Sequence, residues 1–478
     1  MDKKRADVIV IGAGSGGLSV ALFLAKVGVK VTVIVRSDKE VGGECLNDGC
    51  VPSKALIHIA NQVHAARKAK AFGMEIGGEI NIQKALGYVH ARQEIIRDHE
   101  NATWLSAQGI KVILGEASFA GMHEVEVEGE IYAARKIILA TGSKPSKLKI
   151  EGVEKVTYLD NENIFHIRQI PKRLLVIGGG PIGIEMAQAL SRLGSQVTVF
   201  ETGDRILVHD EKKLADILLK RLEGEGIRFH FDVSLEKFSS PTKVLVKKEN
   251  GETFVHSFDA IFVGIGRELV LKPLQLDKAG IEVKNDKIVV DNKLRTTNKD
   301  IMVCGDIAGN LQFSHAAEFH ARIILNNLFS PLNKKLNNDN MSWVTFTEPQ
   351  LATFGLNEKE ISKRRIAFSK LEKDFVDDDR AVTDDYRYAK LILYITKKRW
   401  FKKERILGGT MLAPHAGELI QELILANSVG LSIDSIFNKI YPYPVATRIN
   451  QQVVLMHKEK SLTPGLKKLL HRAFKLFS

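Results

Sequence analysis

Residues 42–54 read GGECLNDGCVPSK and hold two of the three cysteines in the chain, Cys45 and Cys50, with four residues between them. Thiols at that spacing suit half of a zinc site, a structural staple or a redox disulfide. Zinc would need two further ligands at suitable spacing, and the third cysteine, Cys304, falls in the strand-like run DIMVCGD. Pro52 suits the first turn of the helix that SKALIHIANQVHAARK begins, which puts Cys50 near a helix N-terminus. The positive end of a helix favours thiolate over thiol, and each tenfold gain is worth about 1.4 kcal/mol.

Two long stretches must position whatever those thiols do. ADVIVIGAGSGGLSVALFLAKVGVKVTVIV reads as strand, tight turn, helix and strand, with Gly12, Gly14 and Gly17 in G-x-G-x-x-G spacing after a β-branched run. Gly12 permits the turn, Gly14 lets backbone approach a pyrophosphate, and Gly17 lets the helix lie close on the sheet. KRLLVIGGGPIGIEMAQALSRLGSQVTVFE repeats the unit with Gly178, Gly180 and Gly183. Glu201 ends its second strand, where a carboxylate can accept from an adenosine ribose and repel a 2′-phosphate. The same step from Gly12 lands on Val35, so the first unit lacks that carboxylate. Arg36 or Asp38 would have to substitute, or the ribose goes unclamped. The sequence predicts an α/β protein with two Rossmann-like dinucleotide-binding domains and a C-terminal α+β domain.

At 53.1 kDa the chain is too long for one core. Its 69 Lys+Arg against 57 Asp+Glu give a net charge of +12, which suits an anionic partner without specifying one. Three cysteines exclude a secreted disulfide scaffold and point to a reducing, cytoplasmic compartment. Residues 8–25 are apolar enough to pass for a signal or membrane segment, but four glycines break their first half. The reading is a buried strand and helix.

Two such units with G-G-x-C-x4-C-x-P-S-K behind the first resemble the FAD-dependent pyridine nucleotide–disulfide oxidoreductases, which include dihydrolipoamide dehydrogenase, glutathione reductase and mercuric reductase. Further matches follow in family order: LATGSKP (139–145), VGIGREL (263–269) and VCGDIAG (303–309), then a segment for dimerisation. The resemblance implies FAD, NAD(H) rather than NADP(H), and a homodimer passing electrons to a small-molecule acceptor. It makes Cys50 the thiol facing the flavin and Cys45 the outer thiol that attacks substrate. It pairs Lys54 with Glu185 beside the flavin and sets Asp306 on the ribityl chain. Thr141 and Gly142 also fall at the cofactor, Ala117 against the adenine half by its backbone, and Gly266 and Arg267 over the nicotinamide nucleotide. No metal ligand set is implied.

The pattern breaks near the C-terminus. Lipoamide and glutathione reductases carry H-P-T-x-x-E, in which a histidine from the partner subunit shuttles a proton and the glutamate orients it. This chain reads IYPYPVATRINQQ, with Tyr443 at the histidine position and Arg448 at the glutamate position. Mercuric reductases also place tyrosine there, where it helps hold the metal ion, but they add a C-terminal cysteine pair that this sequence lacks. The branch most resembled is described loosely as mercuric reductase-like or dihydrolipoamide dehydrogenase-like. Three functions remain in view: a reductase of an unidentified disulfide, metal ion or quinone, a lipoamide dehydrogenase, and a redox-silent nucleotide-binding protein.

The expected layout is an FAD domain over 1–150, an NAD domain over 151–270, a return to the FAD domain over 271–338 and an interface domain over 339–457. Trp400 and Phe401 sit among the cations of TKKRWFKKER, a composition that could stack nucleic acid. A hairpin tip is the better reading, and no nucleic-acid partner is expected. Over 466–477, Leu466, Leu469, Leu470, Ala473, Phe474 and Phe477 recur at helical spacing opposite five basic or histidine residues, with Pro464 and Gly465 read as a separator. That segment (in the 458–478 tail) suits either a helix docked on the dimer or a weak anchor at an anionic membrane face.

Overall fold

The computed structural model describes residues 4–398 and 402–478, so Trp400 and Phe401 lie outside the described residues. The chain forms two compact units. One takes the chain up to Thr202 and again Arg228–Asn337, and the other takes Gly203–Ile227 with Asn338–Ser478.

Valine and isoleucine, with Thr32, fill residues 8–11 and 31–35, and such β-branched side chains suit strands buried on both faces of a parallel sheet. Lys4–Ile11 and Val31–Val35 pair in parallel, Val8 opposite Val31 and Ile11 opposite Ile34. A seven-stranded sheet grows around them, with Lys111–Leu114 outside Val31–Val35 and Glu130–Leu139 on the other flank. Ile301–Val303 adds a parallel strand beside Glu130–Leu139, so a distant segment returns to the first sheet.

Helix Ser15–Lys26 crosses between the first two strands and meets the sheet at backbone distance. Gly12 has φ +104°, and a Cβ on it would sit 2.3 Å from the Ala140 carbonyl oxygen. A Cβ on Gly17 would sit 2.1 Å from the Gly12 oxygen, so only hydrogen fits where helix and turn touch.

The second sheet repeats this plan in five parallel strands, with Arg173–Ile177 between Gln196–Phe200 and Ala260–Val263. Gly183 meets the Gly178 oxygen as Gly17 meets that of Gly12, with the same 2.1 Å to a notional Cβ. Helix Cys50–Lys68 packs against helix Pro181–Arg192. Arg67 Nη1 donates to the Arg192 carbonyl at 2.7 Å, and Arg192 Nη1 donates to Asn61 Oδ1 at 2.5 Å. Arg192 is 4% exposed, so these bonds hold the helices together away from bulk water.

The second unit is built on a five-stranded antiparallel sheet ordered Ser342–Thr345, Gln350–Gly355, Ile406–Ala413, Lys390–Thr396, Phe368–Asp374. Helix Lys212–Gly224 packs on two of these strands. Asp210, just before it, accepts from Trp343 Nε1 at 2.8 Å and from Thr353 Oγ1 at 2.6 Å. Pro464 and Gly465 are not a separator: they are the first residues of helix Pro464–Phe477, capped by the Thr463 side chain. Proline at the first position of a helix loses no bond, because that N–H has no partner within the helix. Among the described residues, no helix is long and apolar enough to cross a membrane.

Two glycine substitutions separate packing from propensity. Gly17→Ala drives a methyl into the Gly12 carbonyl and is expected to cost about 1–3 kcal/mol. Gly87, inside helix Ile82–Arg97, has open space around it, so Gly87→Ala is expected to gain about 0.5–1 kcal/mol. Urea unfolding of both variants against the parent measures the difference.

Candidate functional site

Helix Cys50–Lys68 begins at Cys50, with Gly49 at its cap position and no side-chain capping bond. Cys50 therefore stands at the positive end of a long helix, with backbone N–H groups left to whatever lies in front. Cys45 comes from the short helix Gly43–Asn47 just before it. The two are unbridged thiols: Cys45 is half-buried, and Cys50 reaches solvent although neighbouring groups crowd its sulfur.

Their environments drive them apart. The hydrogen bond from the Cys45 thiol lowers Cys50 to about 6, helped by Ser314 and the Lys54 charge and opposed by burial and Glu185. Ser314 Oγ lies 3.5 Å from Cys50 Sγ. The same bond to Cys50, then burial, pushes Cys45 far above the ordinary thiol range. Cys50 thus holds the negative charge at neutral pH, and Cys45 keeps the proton. Cys304 takes no part: burial pushes it up to about 12, and its Sγ lies 3.4 Å from the Ala317 carbonyl oxygen.

Lys54 and Glu185 come from different helices and meet at 2.7 Å. Glu185 is 6% exposed against 36% for Lys54, so the carboxylate is fixed and the ammonium reaches it from the rim. Lys54 is one turn from Cys50 on the same helix, and the packing of that helix against Pro181–Arg192 brings Glu185 to it.

The first glycine turn adjoins the cysteine loop. Gly14 caps helix Ser15–Lys26 with no side-chain bond, and a Cβ on Gly43 would lie 2.6 Å from Gly14 Cα. Thr141 and Gly142 follow strand Glu130–Leu139, and Thr141 N would lie 3.1 Å from a Cβ on Gly12. Asp306 Oδ2 accepts from Ser143 Oγ at 2.5 Å and lies 3.5 Å from Arg267 Nε. Behind that aspartate, fully buried His320 accepts from Gly305 N at 3.2 Å, and burial lowers it to about 4, so the ring is neutral. Ala117 is half-buried against the core of the first sheet.

The second turn has the same form. Gly178 has φ +108°, Gly180 caps helix Pro181–Arg192 with open space around it, and Gly266 has φ +110° with open space as well. Glu201 Oε2 accepts from Gly179 N at 2.6 Å, which aims the carboxylate into the glycine turn.

Both cradles fit a dinucleotide, because each is an uncapped helix start whose glycine turn a side chain would fill. The first has no acid at Val35, and its expected substitutes are engaged elsewhere. Arg36 pairs with Glu40 at 2.7 Å, and Asp38 accepts from Ala102 N at 2.7 Å.

Tyr443 and Arg448 lie in the second unit. The Tyr443 hydroxyl donates to Asp379 Oδ2 at 3.1 Å, and the Arg448 guanidinium lies 5.6 Å from the ring centre. Asp379 raises the tyrosine above its ordinary value, which makes it a still poorer base.

Sequence reasoning missed four participants. Glu44 forms a two-pronged ion pair with Arg267, which also donates to Ser143 Oγ at 2.7 Å and to the Ser143 carbonyl at 2.9 Å. Glu44 occupies the unassigned position before Cys45, and only that adjacency marked it. Ser314 and Asp379 had no signal of spacing, because their partners are distant in sequence.

The family described as pyridine nucleotide-disulphide oxidoreductase matches residues 6–321, and the dimerisation domain of that family matches 341–453. A mercuric reductase of Lysinibacillus sphaericus is 30% identical over 449 residues, covering 93% of this chain and 81% of that protein. A dihydrolipoyl dehydrogenase of Thermus scotoductus is 32% identical over 467 residues, covering 95% of this chain and 98% of that protein. The Cu(II) complex of RclA, an HOCl-induced flavoprotein disulfide reductase of Escherichia coli, superposes with TM-score 0.82 at 25% identity, covering 95% of this chain and 100% of that one.

The split between the thiols is measurable in the reduced protein. Thiolate ultraviolet absorbance is expected to rise with a midpoint at about pH 6 and to vanish in Cys50→Ser. Cys45→Ala and Lys54→Met each remove a cause of the lowering and raise the midpoint, whereas Glu185→Gln removes an opposing charge and lowers it.

Proposed function

The chain belongs to the pyridine nucleotide-disulphide oxidoreductase family, and on that premise we propose that it is an NADH-dependent reductase working through a Cys45–Cys50 disulfide on an acceptor that needs no thiol-based proton shuttle. Enzymes of this family are flavoproteins that use FAD with NAD(P)H. The observation that carries the reading is the asymmetric thiol pair at the start of helix Cys50–Lys68, with Lys54 held by Glu185 one turn along.

In each cycle one NADH converts the disulfide to the Cys45 thiol and the Cys50 thiolate: the S–S bond breaks, NADH becomes NAD⁺, and the acceptor later takes the electron pair. FAD, when bound, would be held at the cradle of Gly12, Gly14, Gly17, Thr141, Gly142 and Asp306 and would supply the two-electron relay. The protein residues do the rest. The helix start and Lys54 hold Cys50 as thiolate, and Cys45 is left as the sulfur that meets the acceptor. Glu201 accepts from a ribose hydroxyl and repels a 2′-phosphate, which sets NADH above NADPH.

Two positions shape the choice of acceptor. A thiol leaving group needs a proton, and the residue offered here is Tyr443, a phenol that Asp379 makes harder to ionise. Dihydrolipoamide is therefore the poorer fit, although dihydrolipoyl dehydrogenases are among the relatives. Metal ions and quinones stay in view beside other disulfides, in line with the substrate of mercuric reductases and with RclA as a Cu(II) complex. The dimerisation domain supports a homodimer. The redox-silent reading is opposed by the cysteine pair and by the Lys54–Glu185 contact.

Anaerobic titration with NADH or dithionite is expected to deliver two electron pairs per subunit, one to the flavin and one to the disulfide. Cys50→Ser is expected to accept one pair while keeping its flavin. Uptake of a single pair by the parent would remove the disulfide from the scheme.

The acceptor side has its own test. Turnover with dihydrolipoamide is expected to fall roughly 10²–10⁴-fold below that of a relative with the His–Glu pair, the usual worth of acid–base help. The double change Tyr443→His with Arg448→Glu is expected to recover part of that deficit. Full-speed turnover by the parent would show that another residue supplies the proton.

A further inference from the structure

Helix Pro464–Phe477 lies beyond residues 341–453 that match the dimerisation domain, and none of its residues is buried. Leu469 is 62% exposed, Phe474 68%, Leu476 79% and Phe477 91%, an uncommon density of large apolar surface on so short an element. At 3.6 residues per turn, these four fall with Leu466, Leu470 and Ala473 within an arc of about 160°. Lys467, Lys468, His471, Arg472 and Lys475 take the remaining arc, and no acidic residue follows Glu459.

We propose that this helix docks flat on a bilayer surface carrying anionic headgroups, with its apolar arc at the acyl boundary and its basic arc among the phosphates. The division of the two arcs is what an interfacial helix requires, and the unrelieved positive charge is complementary to an anionic leaflet. At 14 residues the helix is about 21 Å long, too short to cross a hydrocarbon core and long enough to lie in the interface. Thr463 fixes where it starts: its Oγ1 accepts from Leu466 N at 3.3 Å, and Pro464 follows at the first position. The cap and the proline favour the helix before any surface is met, which reduces the ordering cost of docking. The inference stands apart from the redox reading and does not rest on the identity of the acceptor.

The test is flotation of the full-length flavoprotein with vesicles of phosphatidylcholine alone and of phosphatidylcholine with phosphatidylglycerol, at low and high salt. The protein is expected to float with the anionic vesicles, to leave them as salt rises, and to ignore the neutral ones. Lys467→Ala with Lys468→Ala is expected to lower partition roughly 25-fold, two basic residues at about fivefold each. Phe474→Asp is expected to abolish it, and retained flavin with unchanged NADH oxidation shows that the variants fold. No partition into anionic vesicles, or equal partition into neutral ones, overturns the proposal. So does a change in particle mass by light scattering in Phe474→Asp, because a second copy of the chain would then be what covers the helix.

Discussion

The contact on which the site depends is the packing of helix Cys50–Lys68 against helix Pro181–Arg192. The first follows the cysteine loop and the second the glycine turn of the second sheet, and each brings one half of the Lys54–Glu185 pair. Buried Arg192 makes the contact specific, because its guanidinium meets Asn61 while its carbonyl receives Arg67. A buried guanidinium left without such partners costs several kcal/mol, so sliding one helix along the other is opposed by charge as well as by shape. The Lys54–Glu185 ion pair belongs to that same seam.

The cysteines show how a fold makes two identical residues unlike. Both are thiols of one segment, yet one begins a long helix and the other sits in the middle of a short one. The helix start and Lys54 favour charge at Cys50, and the hydrogen bond from Cys45 favours it more. Burial adds to the difference, since it opposes charge on Cys45 as well. Cys304 is the control within the same chain: without a helix start, a cation or water, its thiol is driven the other way.

The two glycine turns were legible because their constraint is written in residue type. Positions that must hold φ near +100° and touch backbone admit only glycine, so Gly12 and Gly178 announce themselves. Periodicity similarly displayed the last helix, although Pro464 and Gly465 read as a break and are instead its opening turn. The Lys54–Glu185 pair was reached through resemblance, not spacing, since nothing local links residues so far apart. Glu44 with Arg267, Ser314 with Cys50 and Asp379 with Tyr443 escaped for that reason. Each is a tertiary contact between common residue types, and pattern reading has no period with which to find it.

Two departures from the family pattern stand close together in the chain, at Tyr443 and Arg448, and a third, Val35, lies in the first nucleotide cradle. The second nucleotide cradle, the thiols and the Lys54–Glu185 contact retain the residues that the family resemblance assigns to electron entry. Tyr443 and Arg448 stand where relatives with H-P-T-x-x-E carry the histidine and glutamate. A phenol held neutral by Asp379 offers a hydroxyl that can orient or ligate but takes up no proton at neutral pH. Such a group suits an acceptor reduced by electron transfer or held by oxygen and sulfur ligands better than one that must leave as a thiol.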